Sequence, residues 1–231
     1  TAISGAISAS YTTGATATAM NGTRYRCVAT NSAGSATSTA ATLTISVWST
    51  TDIGAVAAVG SSALSGGIWT LTGSGVDIWG TSDEFRFTSQ AVSGDVVITA
   101  RVTGLQNTSS WAKAGVMVRE TIGATSRHAF TCLTASNGPA FQRRLTTAGS
   151  SVHTGGPALS APGWLRLERV GNLFISSTSS DGTTWTELRR ETITMAAAVQ
   201  VGLAVTSHVD GTLCTATFSD VTVVSAPVAV N

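Results

Sequence analysis

Between Trp111 and Arg144 the chain sets an indole, an amine, an imidazole, a carboxamide and several guanidinium groups at short, mostly even spacings. Side chains of an extended strand alternate between two faces. Trp111, Lys113, Gly115, Met117 and Arg119 therefore share one face, and Ala112, Ala114, Val116 and Val118 share the other. The second set reads as core. The first combines an aromatic plane, a flat gap at glycine and two cations with several N–H donors, which suits a surface that a polar ligand lies against. His128 opens the next run, Gln142 and Arg144 share one face of the third, and His208 ends a later one. Arg143 points opposite to Arg144, near Phe141, and reads as structural.

The elements that must position these groups are strands. The runs 111–120, 128–134 and 140–146 are separated by turn residues at 122–126 and 135–139. Beyond Trp48, turn signals recur about every 8 to 12 residues, dividing the chain into about eleven to thirteen short strands that suit two stacked antiparallel sheets on a jelly-roll path. Asp181-Gly182 marks a tight hairpin. The best helix candidate, Thr192–Val199, is short and flanked by strand patterns. The expected fold class is all-β.

Composition narrows the chemistry. Charged residues make up 11% of 231 residues and the formal net charge is +1, so no electrostatic footprint for nucleic acid is expected. No apolar run approaches the ~18 residues of a membrane-spanning helix, and no membrane partner is expected. Cys27, Cys132 and Cys214 are too few for a disulfide framework and too widely spaced for a zinc site. Cys132 and Cys214 either pair across neighbouring strands or remain buried thiols.

Residues Asn21 to Ile45 place Tyr25 two residues before Cys27, then an Asn-Ser-Ala-Gly-Ser turn and an alternating strand. This resembles the last two strands of a bacterial immunoglobulin-like domain, with its tyrosine corner and second cysteine. It covers only the C-terminal half of such a domain. The resemblance implies a partial immunoglobulin-like spacer over 1–47.

Further on stand Asp77-Ile-Trp-Gly-Thr-Ser-Asp-Glu-Phe-Arg-Phe, Gly94-Asp-Val-Val-Ile-Thr-Ala-Arg-Val, Trp111-Ala-Lys-Ala-Gly-Val-Met-Val-Arg, Gly163-Trp-Leu-Arg-Leu-Glu-Arg and Val201-Gly-Leu-Ala-Val-Thr-Ser-His. In this order they resemble bacterial accessory domains of the concanavalin A-like lectin/glucanase superfamily. The resemblance implies a sandwich over 48–226, a tail at 227–231, and secretion as part of a multidomain protein, beside polysaccharide-degrading and spacer domains. The superfamily holds both sugar-binding modules and glycosidases.

Glycoside hydrolysis needs two carboxylates flanking the scissile bond. The Glu-x-Asp-x-x-Glu run of the superfamily's glucanases is absent, and Asp83 and Glu84, as sequence neighbours, point to opposite faces. The expectation is a non-catalytic carbohydrate-binding module that takes a polysaccharide or oligosaccharide on one concave sheet face. Trp111, Lys113, Arg119, His128, Gln142, Arg144 and His208 are the candidate binding residues. The alternatives are a structural or adhesive domain whose polar face is covered from within the protein, and a glycosidase with displaced carboxylates. No cofactor is expected. The resemblance makes a structural calcium conceivable, with Asp77, Asp83 and Asp95 as its ligands. Trp79 is expected to seal the core beneath a loop, with a binding platform at a sandwich edge as its alternative, and His153 is expected to serve as a hydrogen-bonding group.

Overall fold

The structure is a computed structural model that describes residues 2–14, 20–43, 45 and 48–225; the tail expected at 227–231 lies outside the described residues. The chain divides into two compact units, Thr1–Val47 and Trp48–Asn231.

The first unit contains β1 (Arg24–Tyr25), β2 (Val28–Asn31), β3 (Gly34–Thr37) and β4 (Ala41–Thr42). β1 pairs with β4 and β2 with β3, both antiparallel. Asn31 shapes the β2–β3 turn by accepting the Ala33 N–H at 2.9 Å. None of this unit's described side chains is buried.

The second unit begins with β5 (Ser49–Ile53), β6 (Ser61–Ser65), β7 (Ile68–Gly73), β8 (Ile78–Trp79), β9 (Ser82–Asp83) and β10 (Phe85–Ser93). It continues with β11 (Val96–Leu105), β12 (Lys113–Arg119), β13 (His128–Thr134), β14 (Pro139–Arg144) and β15 (Ser151–Gly155). The last strands are β16 (Gly163–Val170), β17 (Leu173–Ser179), β18 (Thr186–Thr192), β19 (Ala198–Thr206) and β20 (Cys214–Ser225). Two seven-stranded sheets result, ordered β15-β14-β13-β12-β19-β10-β5 and β18-β17-β16-β11-β20-β7-β6. Every ladder in them is antiparallel, as expected of an all-β sandwich. The described residues include no α-helix. Where one was expected, at 192–199, β18 runs to Thr192, an irregular link follows, and β19 starts at Ala198. Ile193 and Met195 of that link are buried, so packing rather than helical pairing fixes it.

Period-two patterning builds the core between the sheets. Val116 and Val118 of β12, Val201, Leu203 and Val205 of β19, and Phe141 of β14 meet Ile98, Leu165, Leu167, Phe174 and Phe218 of the second sheet. Full burial of each such side chain is worth about 1.5–3 kcal/mol. Thr131 Oγ1 and Ser176 Oγ, 2.8 Å apart, form a polar bridge across this core.

The first sheet's other face is also buried. Every residue of β12, β13 and β14 is buried. Phe85, Phe87, Met117, Phe130, Cys132, Ala140 and Ala204 form a second apolar cluster there, with Ile53, Ile78 and the partly buried Ala124. Two segments lie over it: residues 74–84, with the β8–β9 hairpin, and the loop 120–127. Gly80 takes φ +56° at the first corner of that hairpin's two-residue loop, a position that requires positive φ in a turn of this hand. The open polar floor expected on this face is therefore a third layer. This corrects the sequence reading.

The three cysteines are free thiols. Cys132 lies in the outer cluster and Cys214 in the core between the sheets, so the two do not pair.

Candidate functional site

Strand alternation puts Lys113, Arg119, His128, Gln142 and Arg144 on the outer face of the first sheet, as expected, but the covering segments claim most of them. Arg119, His128 and Arg144 are fully buried around one carboxylate, Asp83, which is also fully buried at the end of β9. Register explains the gathering: Arg119 lies opposite His128 and His128 opposite Arg144. Cross-strand neighbours on one face stand about 5 Å apart at Cβ. Asp83 then accepts Arg119 Nη1 at 3.2 Å, Arg144 Nη1 at 2.7 Å and Arg144 Nη2 at 2.6 Å.

The remaining guanidinium donors hold loop carbonyls. Arg119 Nε donates to Thr121 O at 2.8 Å and Nη2 to Gly123 O at 2.6 Å. Arg144 Nε donates to Gly149 O, Nη1 to Ser126 O and Nη2 to Trp79 O and Gly80 O, at 3.0–3.1 Å. Burial pulls Arg119 down to about 10 against the opposing pull of Asp83, so it stays charged at neutral pH. His128, walled in beside the two arginines, is lowered to about 4, first by burial. Its Nδ1 stands 3.5 Å from Asp83 Oδ2, and neither ring nitrogen has a hydrogen-bond partner. These three residues are not ligand-facing. They fasten the cover to the sheet, a correction whose physical cause is the carboxylate arriving from residues 74–84.

Lys113 has a similar role at the other end of the cover. Its side chain is 1% exposed and pairs with Asp77 Oδ1. Asp77 Oδ2 lies 3.2 Å from His208 Nε2, and His208 Nδ1 is 3.4 Å from Ser109 Oγ. His208 is held in the left-handed region at φ +58°. The three aspartates offered as calcium ligands are thus dispersed: Asp83 among arginines, Asp77 on Lys113 and His208, and Asp95 on the Gly171 N–H at 2.7 Å. Among the described residues no group of three or more His, Cys, Asp or Glu side chains converges as a metal site.

Solvent reaches this face at an aromatic rim. Trp111, just before β12, meets the His153 ring edge-on with centroids 5.8 Å apart. Trp79, on the covering hairpin, approaches the same imidazole at 6.4 Å, also edge-on. Trp79 is 39% exposed, so it presents an aromatic surface instead of sealing the core as expected. Lys113 Nζ lies 5.7 Å from the Trp111 ring centroid, which places the Lys113–Asp77 pair beside this rim. Burial, with the charges of Lys113 and Arg143, lowers the pKa of His153 and favours the neutral ring.

Gln142 is the cross-strand partner of His153 and lies beneath it on the same face. It is 2% exposed, and its Oε1 is buried without a hydrogen-bond partner. An unmatched buried amide acceptor costs about 1–3 kcal/mol unless something satisfies it. The site assembled by the fold is therefore Trp79, Trp111 and His153 around Gln142, with Asp77 and His208 at one end. Of the residues singled out from the sequence as candidates, Trp111, Gln142 and His208 lie at this rim; Trp79, favoured there as a core seal, His153 and Asp77 join them. Their signal was weak: Trp79 sits beside a turn glycine and His153 in a short edge strand, positions that look like ordinary surface. Arg143 faces the other sheet as expected, with Nη2 2.9 Å from Glu191 Oε2 and its Cζ 5.1 Å from the Phe141 centroid.

No protein-family model matches the chain, and no curated protein sequence does. Solved structures do. A functionally unknown protein from Saccharomyces cerevisiae superposes with a TM-score of 0.62 at 19% identity, over 79% of this chain and 97% of that one. A carbohydrate-binding module, CBM66 from Bacillus subtilis, gives 0.50 at 17% identity, over 77% of this chain and 95% of the module. A variant of a GH43 protein from Bacillus licheniformis gives 0.50 at 12% identity, over 69% of this chain but 33% of that larger chain. At these identities the likeness is one of fold: Trp48–Asn231 is a two-sheet antiparallel β-sandwich of the kind that a sugar-binding module also adopts.

Proposed function

We propose that the sandwich is a non-catalytic glycan-binding module, one part of a secreted polysaccharide-degrading protein, and that its ligand lies against the rim formed by Trp79, His153 and Trp111. The observation that carries this reading is the pairing of the exposed Trp79 and His153 rings and the half-buried Trp111 with the buried, partnerless Oε1 of Gln142 beneath them. Sugar rings present apolar C–H faces and hydroxyl edges. Indole faces cover the first, and an amide oxygen with a spare lone pair accepts from the second. The shared fold of a carbohydrate-binding module supports the reading. A shallow rim buries little area, so affinity should be modest, with Kd of about 10 μM to 1 mM.

Catalysis is disfavoured by the state of the nearby acids. Of the acids in residues 74–84, Asp83 is consumed by two arginines, Asp77 pairs with Lys113, and Glu84 accepts the Val76 N–H at 3.1 Å, which supports no pair flanking a bond. A second reading, a structural domain that binds no glycan, draws on one specific observation: the cationic face is covered from within the unit by residues 74–84.

Affinity electrophoresis through gels containing a panel of polysaccharides separates the two. Retardation of the wild-type chain, lost in Trp79→Ala and in Trp111→Ala with unchanged thermal melts, is the expected result. Wild-type mobility unaffected by every polysaccharide would sink the proposal in favour of the structural reading.

A further inference from the structure

Resting on the glycan-binding reading, we infer that the ligand class is an uncharged glycan gripped through adjacent ring hydroxyls at Asp77 and His208, and that uronic-acid and sulfated glycans are excluded.

An acidic sugar needs a cation with N–H groups free to meet its carboxylate or sulfate. The face carries several cations, and each is already committed. Arg119 and Arg144 are fully buried, with their donors spent on Asp83 and on the carbonyls of the covering loops. Lys113 is 1% exposed and bound to Asp77. Arg143 is 3% exposed, faces the other sheet and pairs with Glu191. His153 is inclined to the neutral ring by its burial. The charged oxygen left with surface at the rim is that of Asp77, whose side chain is 19% exposed. A ligand carboxylate placed against Trp111 would meet this carboxylate and find no free guanidinium or ammonium.

The same arrangement suits hydroxyls. Asp77 Oδ1 is occupied by Lys113 and by the Ile78 N–H, which orients the carboxylate. Its Oδ2 faces His208 Nε2 at 3.2 Å, and the His208 side chain is 34% exposed. Two polar atoms at that separation match neighbouring hydroxyls on one face of a sugar ring, with Asp77 Oδ2 accepting from one and the imidazole serving the other. Gln142 Oε1 supplies a further acceptor beneath His153. Asp77 and Lys113 neutralise one another, so an uncharged ligand meets no net field at the rim. The arrangement discriminates by lacking a partner for charge, which penalises the wrong ligand more than it rewards the right one.

The test uses the full chain against neutral polysaccharides (mixed-linkage β-glucan, arabinoxylan, galactomannan, levan) and acidic ones (polygalacturonate, alginate, chondroitin sulfate). Binding is measured by isothermal titration calorimetry at low salt and at about 0.5 M NaCl, where exposed charge attraction is screened. The expected result is binding confined to neutral polymers, with salt changing Kd by less than about twofold. His208→Ala and Asp77→Asn should each weaken it by about tenfold or more, equivalent to about 1.4 kcal/mol. Asp77→Asn disturbs the Lys113 pair, so the partly exposed His208 supplies the variant that leaves the fold intact, checked by its thermal melt. Equal or tighter binding of an acidic polymer, lost at high salt, overturns the charge argument while leaving glycan binding in place. Neutral-polymer binding indifferent to both substitutions overturns the placement at Asp77 and His208. No binding to any polymer overturns this inference together with the glycan-binding reading.

Discussion

Replacing Asp83 with asparagine tests whether the buried ion cluster holds the outer layer in place. The carboxylate accepts three charged N–H groups at 2.6–3.2 Å in a site with no solvent exposure. Asparagine keeps the size and one acceptor, but it presents an NH₂ group to a guanidinium and leaves two buried positive charges without a counter-charge. Breaking a buried pair by removing one partner costs about 3–5 kcal/mol. The carbonyls of Thr121, Gly123, Ser126 and Gly149 still accept from both arginines. That residual solvation places the cost near the low end, at about 3 kcal/mol. A unit of this size loses about 2–4 °C in Tm per kcal/mol. The variant should therefore melt roughly 6–12 °C below wild type. Differential scanning calorimetry at neutral pH gives the shift, and urea unfolding followed by tryptophan fluorescence gives the free energy independently. Arg144 also holds the carbonyls of Trp79 and Gly80, so glycan retardation should weaken in parallel. A melt within about 2 °C of wild type would mean that the cluster contributes nothing net, and the account of the cover's attachment would fail.

Two further outcomes follow from the same burial. His128 sits at about 4 in the folded protein against 6.5 for a free imidazole, so the unfolded chain takes up the proton first as pH falls. Its stability contribution is complete above about pH 6.5 and declines towards pH 4, by up to about 3 kcal/mol. Urea midpoints across this range should show a steeper acid decline for wild type than for His128→Gln; identical slopes would refute the assignment. The Cys132 thiol is pushed up to about 12, chiefly by burial, and burial likewise raises Cys214, whereas Cys27 is exposed. Ellman's reagent should titrate one thiol in the native chain and three in denaturant, and a fast second native thiol would contradict the packing around Cys132 or Cys214.

The fold was legible in the sequence because period-two patterning is a local signal. Ala114, Val116 and Val118 face the core between the sheets, and Asp181-Gly182 lies in the β17–β18 connection. The open polar floor was misread because an alternating cation means the same thing locally whether water or a buried carboxylate lies opposite. Asp83 meets Arg144 across 61 positions of sequence, and no periodicity encodes that meeting. A signal did exist on the strands themselves. Met117 stands between Lys113 and Arg119 on the outer face, Phe130 and Cys132 share the face of His128, and Ala140 shares that of Gln142. Apolar residues on both faces of three consecutive strands indicate a sheet covered twice. The candidate rim was legible only in part. Trp111, Gln142 and His208 carry recognisable chemistry, but the approach of Trp79 to His153, 6.4 Å between centroids, joins residues 74 positions apart that no local pattern links.

The hairpin that carries Trp79 is anchored at one end by Lys113 through Asp77, and at the other by Arg119 and Arg144 through Asp83. Between those anchors Trp79 to Ser82 form the tip, and Trp79 and Ser82 are exposed. Such a segment behaves like a tool bit in a chuck: the grip is indifferent to the cutting edge. The exposed side chains of Trp79, Thr81 and Ser82 can be exchanged for others of different shape or polarity without loosening the layer beneath, Gly80 at φ +56° excepted, so the surface the tip presents is set apart from what holds the layer.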